Sequence, residues 1–389
     1  MIVSYQAYIE RATMDKYVIS TSPTIDQNIS ANATTYPEGV TFTTVDKIII
    51  TIFMPIVVTI GITGNVAIII VFLRIKSMRT SMNIYLASLA LADVMFLSNA
   101  PVTIWKAFAA GDLIEDSSFS LFYCKLNTYL VDSSYHVSSL TILALTLERY
   151  FVVCWPLRFK TTNVRPIAIG ATLCCWGVSL VWNSRKLVFL GFKDENVMHE
   201  GEVVDIKTCT YYSTSHTGED ILHTIDAVLF FLIAIVIFIL YFLMISMVQK
   251  MARTQRTLSR SFMVKHRAQN KILRMLILTV SVYILCLSPF QILNIWSIHG
   301  KLPHEVAVVY INISRCLVYI NSSANPFIYN VFNVRYREAF VECFCSFPGK
   351  RLSRTYTRGN ELSPRRTQTM LTKMNSNKST TSMEKPYIH

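Results

Sequence analysis

Charge is scarce in this 389-residue chain: Asp, Glu, Lys and Arg together make up only 16% of it. A soluble domain carries about 25%, so an ordinary water-facing surface is excluded. No charged residue occurs from Ile48 to Leu73, nor from Met275 to Ile298. A stretch of about 20 such residues crosses a bilayer core, and neither run has the polar face of a soluble amphipathic helix. Metal-site spacings are missing as well, with no CxxC pair and no HExxH. No nucleophile can be placed beside a base, so nothing supports an enzyme. The first 20 residues lack an apolar core of the length a cleavable signal needs. The first membrane helix is therefore expected to serve as the insertion signal.

What is present is a series of seven apolar runs: Ile48–Leu73, Asn83–Trp105, Leu126–Val153, Pro166–Leu187, Ile225–Val248, Lys271–Ile298 and His304–Val331. Backbone groups find no water in lipid, so each run must be helical. The runs are too long, and too little alternating, for barrel strands. Ionisable groups interrupt the third, fifth, sixth and seventh, and Asp93 stands inside the second. Basic residues set the orientation. Arg74, Lys76 and Arg79 lie in the first connection, Arg158, Lys160 and Arg165 in the second of the same side, and Lys250, Arg253, Arg256, Arg260, Lys265 and Arg267 in the third. An alternate connection holds Asp112, Glu115 and Asp116. The N-terminus is thus outside and the C-terminus cytoplasmic. The net charge of +13 sits largely inside, which suits anionic membrane lipid and acidic cytosolic partners. It does not suit nucleic acid, because no soluble basic domain exists to dock. The layout is an extracellular tail over 1–46, a bundle over 47–331, a juxtamembrane amphipathic helix over 332–345 and a polar cytoplasmic tail over 346–389 that reads as disordered. The sequons at Asn28 and Asn32 fall in the outer tail and are candidates for glycosylation.

Nine cysteines are present. Cys124 and Cys209 both face an oxidising compartment, so a disulfide between them is allowed, and it is the expectation over two unpaired thiols. Lys207–Tyr212 is β-prone enough for a hairpin arm. Cys154, Cys174, Cys175, Cys286 and Cys316 read as small apolar packing groups. Cys343 and Cys345 follow an amphipathic stretch just inside the membrane and are candidates for palmitoylation, with free thiols as the alternative.

Polar and kinking residues recur inside the runs, where they are costly. These are Gly64-Asn65 in the first, Leu89-Ala90-Leu91-Ala92-Asp93 in the second, Glu148-Arg149-Tyr150 closing the third and Trp176 in the fourth. Cys286-Leu287-Ser288-Pro289 follows in the sixth, and Asn325-Pro326-Phe327-Ile328-Tyr329 closes the seventh. In that order, with Cys124 standing 25 residues before Arg149, the chain resembles the rhodopsin-like (class A) G-protein-coupled receptors, and is neuropeptide-receptor-like. The resemblance implies an all-α membrane protein of the plasma membrane, a seven-transmembrane helix bundle with a short amphipathic eighth helix. It implies signalling to heterotrimeric G proteins through Glu148, Arg149, Tyr150, Tyr241, Pro289, Asn325, Pro326 and Tyr329. Proline removes a backbone donor and can kink a helix, which gives a two-state bundle places to hinge. It also implies an allosteric Na⁺ pocket of Asp93, Ser138, Asn321, Ser322 and Asn325, all of which offer oxygen; a protonated Asp93 is the alternative. Receptor kinases and arrestin would act on the Ser- and Thr-rich tail. Three positions depart from the family. Leu287 stands where a Trp is usual, Ile233 where the fifth helix usually has Pro, and Gln269 where an acid often locks Arg149.

Three charges lie in the outer halves of helices: Asp132, Asp226 and Arg315. In hydrocarbon they must pair, face water or meet a ligand. One reading is an internal Asp–Arg ion pair that only holds the bundle. The other is a polar peptide pocket, with Tyr135, His136, Gln291, Asn294 and Tyr319 as further wall residues. Amine receptors place their aspartate where Val131 stands; Asp132 is turned about 100° from it. Opsins need a lysine where Tyr319 stands. The expected ligand is therefore an extracellular peptide, as in the similar receptors for thyrotropin-releasing hormone, neuromedin and FMRFamide. A non-peptide ligand, a non-coupling receptor-like scaffold and, more remotely, a transporter are the alternatives. No cofactor is required.

Overall fold

The computed structural model describes residues 44–110, 118–155, 163–199, 202–211, 216–254, 260–299 and 304–345. The sequons, most of the outer tail, the cytoplasmic tail and the side chains of Cys209 and Gln269 lie outside the described residues. Helices α1 (Thr44–Arg74) and α2 (Ser81–Ala110) are followed by α3 (Ser118–Cys154) and α4 (Val164–Phe189). Strands β1 (Leu190–His199) and β2 (Glu202–Tyr211) come next, then α5 (His216–Thr254), α6 (Arg260–His299), α7 (His304–Phe332) and α8 (Val334–Phe344). Each neighbour in the ring α1–α2–α3–α5–α6–α7 packs on the next, and α7 closes back on α1. Helix α3 is the hub and also touches α4 and β1. Leu173, Val181, Phe238 and Leu285 stand exposed on outward faces, as a lipid solvent demands.

Among the described residues, six helices are long and apolar enough to cross a membrane by composition alone. Helix α7 is not one of them, because Asn312, Ser314, Asn321, Ser322, Ser323 and Asn325 dilute its apolarity. All six are buried, so these polar groups face the bundle and the helix still presents Val309, Ile313, Phe327 and Val331 outward. Several helices run past the apolar runs, as α5 and α6 do.

Prolines shape the helices in ways that their neighbours repair. Pro55 has no N–H for the carbonyl four residues back, and the preceding turn, Ile49–Phe53, is widened to a π-helix. Trp105 Nε1 of α2 donates to Ile50 O in that turn at 3.1 Å. Pro326 lies inside α7 and leaves Ser322 O without its helical donor. Asn65 Nδ2 of α1 fills the gap at 2.9 Å, while also donating to Gly61 O at 2.9 Å. Asn333 breaks α7 from α8, its Oδ1 accepting from Tyr336 N at 3.3 Å. Tyr336 then donates to Ile68 O at 3.3 Å and fastens α8 to α1.

The β1–β2 hairpin is antiparallel, with Leu190 opposite Tyr211 and Phe192 opposite Cys209. Cys124 is disulfide-bonded. Cys154, Cys174, Cys175, Cys286, Cys316, Cys343 and Cys345 are free thiols.

Candidate functional site

The polar residues of the bundle gather at three depths. At the outer end, the acids of α3 and α5 meet the end of α4. Asp226 is held from three sides. Trp182 Nε1 donates to Oδ1 at 2.8 Å, Arg185 Nη2 donates to Oδ2 at 2.9 Å, and His136 Nε2 lies 3.4 Å from Oδ1. Arg185 is itself fixed, its guanidinium 4.3 Å from the Trp182 ring centre and its Nη1 donating to Trp182 O at 2.9 Å. Asp132 Oδ2 forms an ion pair with Lys186 Nζ. His136 Nδ1 lies 2.8 Å from Asp132 O and 3.2 Å from Asn183 Nδ2. The outer acids thus pair with Arg185 and Lys186, two cations of α4 that no sequence motif marks. Arg185 and Lys186 close the fourth apolar run, where a basic pair reads as a helix end snorkelling to the interface. Their doublet beside Trp182 and Asn183 was the available signal.

Arg315 sits elsewhere, on α7, with Nη1 donating to Asn312 Oδ1 at 3.4 Å. Asn312 Nδ2 in turn donates to the buried Asp46 of α1 at 2.6 Å. A third group joins α3 to α6. Gln291 Nε2 donates to Tyr135 Oη at 2.6 Å, and Asn294 Nδ2 to Gln291 Oε1 at 3.3 Å. Beneath it, Tyr283 donates to Ser139 Oγ at 2.6 Å. Tyr319 packs on Phe96, ring centres 5.5 Å apart. Of the eight expected pocket residues, Asp132, His136 and Asp226 meet at α3–α4–α5 and Tyr135, Gln291 and Asn294 at α3–α6, and the two groups touch where the Tyr135 and His136 rings meet edge-on, centres 5.2 Å apart; Arg315 and Tyr319 stand one turn apart on α7, Tyr319 against α2.

At mid-depth, Asp93 is almost wholly buried and accepts from Asn325 Nδ2 at 2.7 Å. Ser322, three residues before Asn325 on α7, is buried too. Ser138 and Asn321 are buried as well. Asn65 Oδ1 is buried with no hydrogen-bond partner. Leu287, at the position where the family usually has Trp, is almost fully buried in the core. Helix α5 runs without interruption through Ile233.

At the inner end, Arg149 and Glu148 form an ion pair. Ser81, the first residue of α2, donates to Glu148 Oε1 at 2.7 Å, and Arg149 Nη2 lies 3.5 Å from Ser81 Oγ. A carboxylate held by a guanidinium and a hydroxyl is a charge-assisted arrangement, and it ties α3 to α2. Tyr329 is fully buried, its hydroxyl unpartnered and its ring centre 6.2 Å from that of Tyr336. Tyr241 is buried in the core. Tyr150 lies half-buried against Phe151, ring centres 5.5 Å apart. Pro289 and Pro326 lie inside α6 and α7.

A family model described as "7 transmembrane receptor (rhodopsin family)" matches residues 64–329. Growth hormone secretagogue receptor type 1 of Rattus norvegicus is 26% identical over 306 residues, 76% of this chain and 80% of that protein. Somatostatin receptor type 5 of Rattus norvegicus is 28% identical over 302 residues, 77% of this chain and 78% of that protein. Neuromedin-U receptor 2 of Homo sapiens is 26% identical over 301 residues, 76% and 71% respectively.

Proposed function

Because the chain belongs to the rhodopsin family of seven-transmembrane receptors, we propose that it binds an extracellular peptide and passes the bound state to a heterotrimeric G protein. It is a multi-pass plasma-membrane receptor and not an enzyme. The observation that carries the peptide reading is the similarity, over three quarters of the chain, to the somatostatin and neuromedin-U receptors. The outer end supports it, since amide and phenol groups on α3 and α6 (Tyr135, Gln291 and Asn294) offer neutral donors and acceptors of the kind that peptide bonds match.

The chain's own residues supply the relay. A peptide that prefers one of two bundle conformations shifts their populations by that difference in affinity. The Arg149–Glu148 pair marks the resting form of the inner end. Its release would free the guanidinium for the G protein and for Tyr241 and Tyr329. Pro289 and Pro326, each inside a continuous helix, would supply hinges between the two ends. The chemistry of the mid-depth pocket suits a sodium ion: Asp93 is a buried carboxylate, Ser138, Asn321, Ser322 and Asn325 are buried residues that carry oxygen and would hold the ion, and Asn65 has an unpartnered oxygen beside Ser322. Bound there, the ion would neutralise the acid and hold α2 and α7 together. Glycans at Asn28 and Asn32, a Cys124–Cys209 disulfide, palmitoyl groups at Cys343 and Cys345, and phosphorylation of the tail for arrestin complete the proposal.

The test is to express the chain in cultured cells and record calcium and cyclic-nucleotide responses to a library of amidated and free-acid peptides. A saturable response that disappears in Arg149→Ala is expected. Silence across the library at normal surface expression would overturn the peptide reading.

A further inference from the structure

The two outer acids would by themselves make a site for a cation. Neither is left to a ligand. Asp226 has both oxygens engaged, Oδ2 by Arg185 and Oδ1 by Trp182 and His136. Asp132 is paired with Lys186. The cluster is enclosed: the Lys186 side chain is 3% exposed, and those of Asp132, Arg185 and Asp226 are 11%, 12% and 12%. Two permanent cations already balance the two acids. An arriving ammonium or guanidinium would have to displace Arg185 or Lys186, and the displaced cation would stay buried beside it without a counter-charge. Breaking one partner out of such a pair is strongly unfavourable, and the Trp182 face holds Arg185 in place.

We propose that Arg185 and Lys186 are specificity-determining residues that occupy, from α4, the positions a cationic ligand group would otherwise take, so that the outer pocket selects against positive charge beside α3 and α5. The peptide segment that enters between these helices is then uncharged or acidic there. This rests on the receptor reading above and narrows its ligand class. It also supplies a physical difference from amine recognition that does not depend on which face of α3 bears the acid: the acids are present, but they are already neutralised within the chain.

The experiment compares two probes that differ in one charge, acetyl-phenylalanyl-arginine amide and acetyl-phenylalanyl-citrulline amide. Binding to the purified full-length receptor in detergent micelles is read by thermal shift over a concentration series. The wild type is expected to show no preference for the arginine probe. In Arg185→Gln, Asp226 has lost its permanent cation and keeps only Trp182 and His136, so it should favour the arginine probe on the order of tenfold. The preference should vanish in Arg185→Gln/Asp226→Asn, where the acid has gone too. A purely structural role for Arg185 would change stability but not this charge discrimination. Lys186→Met makes the same prediction through Asp132 and serves if Arg185→Gln does not fold. Equal affinity for the two probes in both single variants, or an arginine preference already in the wild type, overturns the proposal. Neither result bears on whether a peptide drives G-protein signalling, which the Arg149→Ala comparison decides separately.

Discussion

Replacing Gly64 by alanine is the sharpest test of how α1 and α7 fit. A Cβ built at Gly64 would lie 2.8 Å from Pro326 Cγ and 2.9 Å from Pro326 Cβ. Ordinary contact begins near 3.4 Å, so the helices must part locally by ~0.6 Å to restore van der Waals distance. The proline ring is closed onto its own backbone and cannot swing aside. Parting also strains the neighbouring bond from Asn65 Nδ2 to Ser322 O, from 2.9 Å to about 3.5 Å, the edge of a useful hydrogen bond. Overpacking costs about 1–3 kcal/mol and the weakened bond about 1 kcal/mol more. Alanine's better helix propensity returns up to about 1 kcal/mol. The net loss of about 1–4 kcal/mol should lower Tm by about 2–16 °C. The assay is thermal unfolding of the purified full-length receptor in micelles, with Gly177→Ala as control, since a Cβ there meets nothing within 4 Å. A Gly64→Ala protein as stable as the wild type and the control would refute the packing argument.

Ser81→Ala removes the hydroxyl that holds Glu148 at 2.7 Å, a bond to a charged group worth about 1.5–3 kcal/mol. Basal nucleotide exchange on a reconstituted G protein should rise about tenfold, and Ser81→Thr should restore it; an unchanged basal rate in Ser81→Ala would show that α2 does not steady the pair. For the mid-depth pocket, exchanging sodium for choline chloride should lower the thermal stability of the wild type and leave Asp93→Asn unaffected. The same response in both proteins would remove Asp93 from any sodium site.

Much of the architecture was legible because lipid imposes a simple rule. Charge-free runs must be helices, and the basic residues between them set which side is inside. The hairpin was partly visible in the β-prone segment around Cys209, although β1 was not. Helix α7 shows the limit of composition. Its Asn and Ser residues lower its apolarity below that of a membrane span, and only their burial against α1, α2 and α6 explains why it is one. The inner and middle sites were visible as a motif pattern, yet Ser81 was not part of it. Its contact with Glu148 spans 67 residues of sequence, and a serine at a helix start reads as an N-cap.

The sequence by itself determined the number and direction of the helices, the depth of each polar residue and the proline breaks, because those follow from one-dimensional patterns of hydropathy and charge. Only the tertiary structure decided which charge neutralises which. Asp226 lies 41 residues from Arg185 along the chain, and Arg315 was as good a partner by depth. Ion pairing depends on separation in three dimensions and on the rotation of each helix about its axis, neither of which depth reveals. The same holds at Pro326, where the orphaned carbonyl is legible from the proline alone, but its new donor, Asn65, is named only by the packing of α1 on α7.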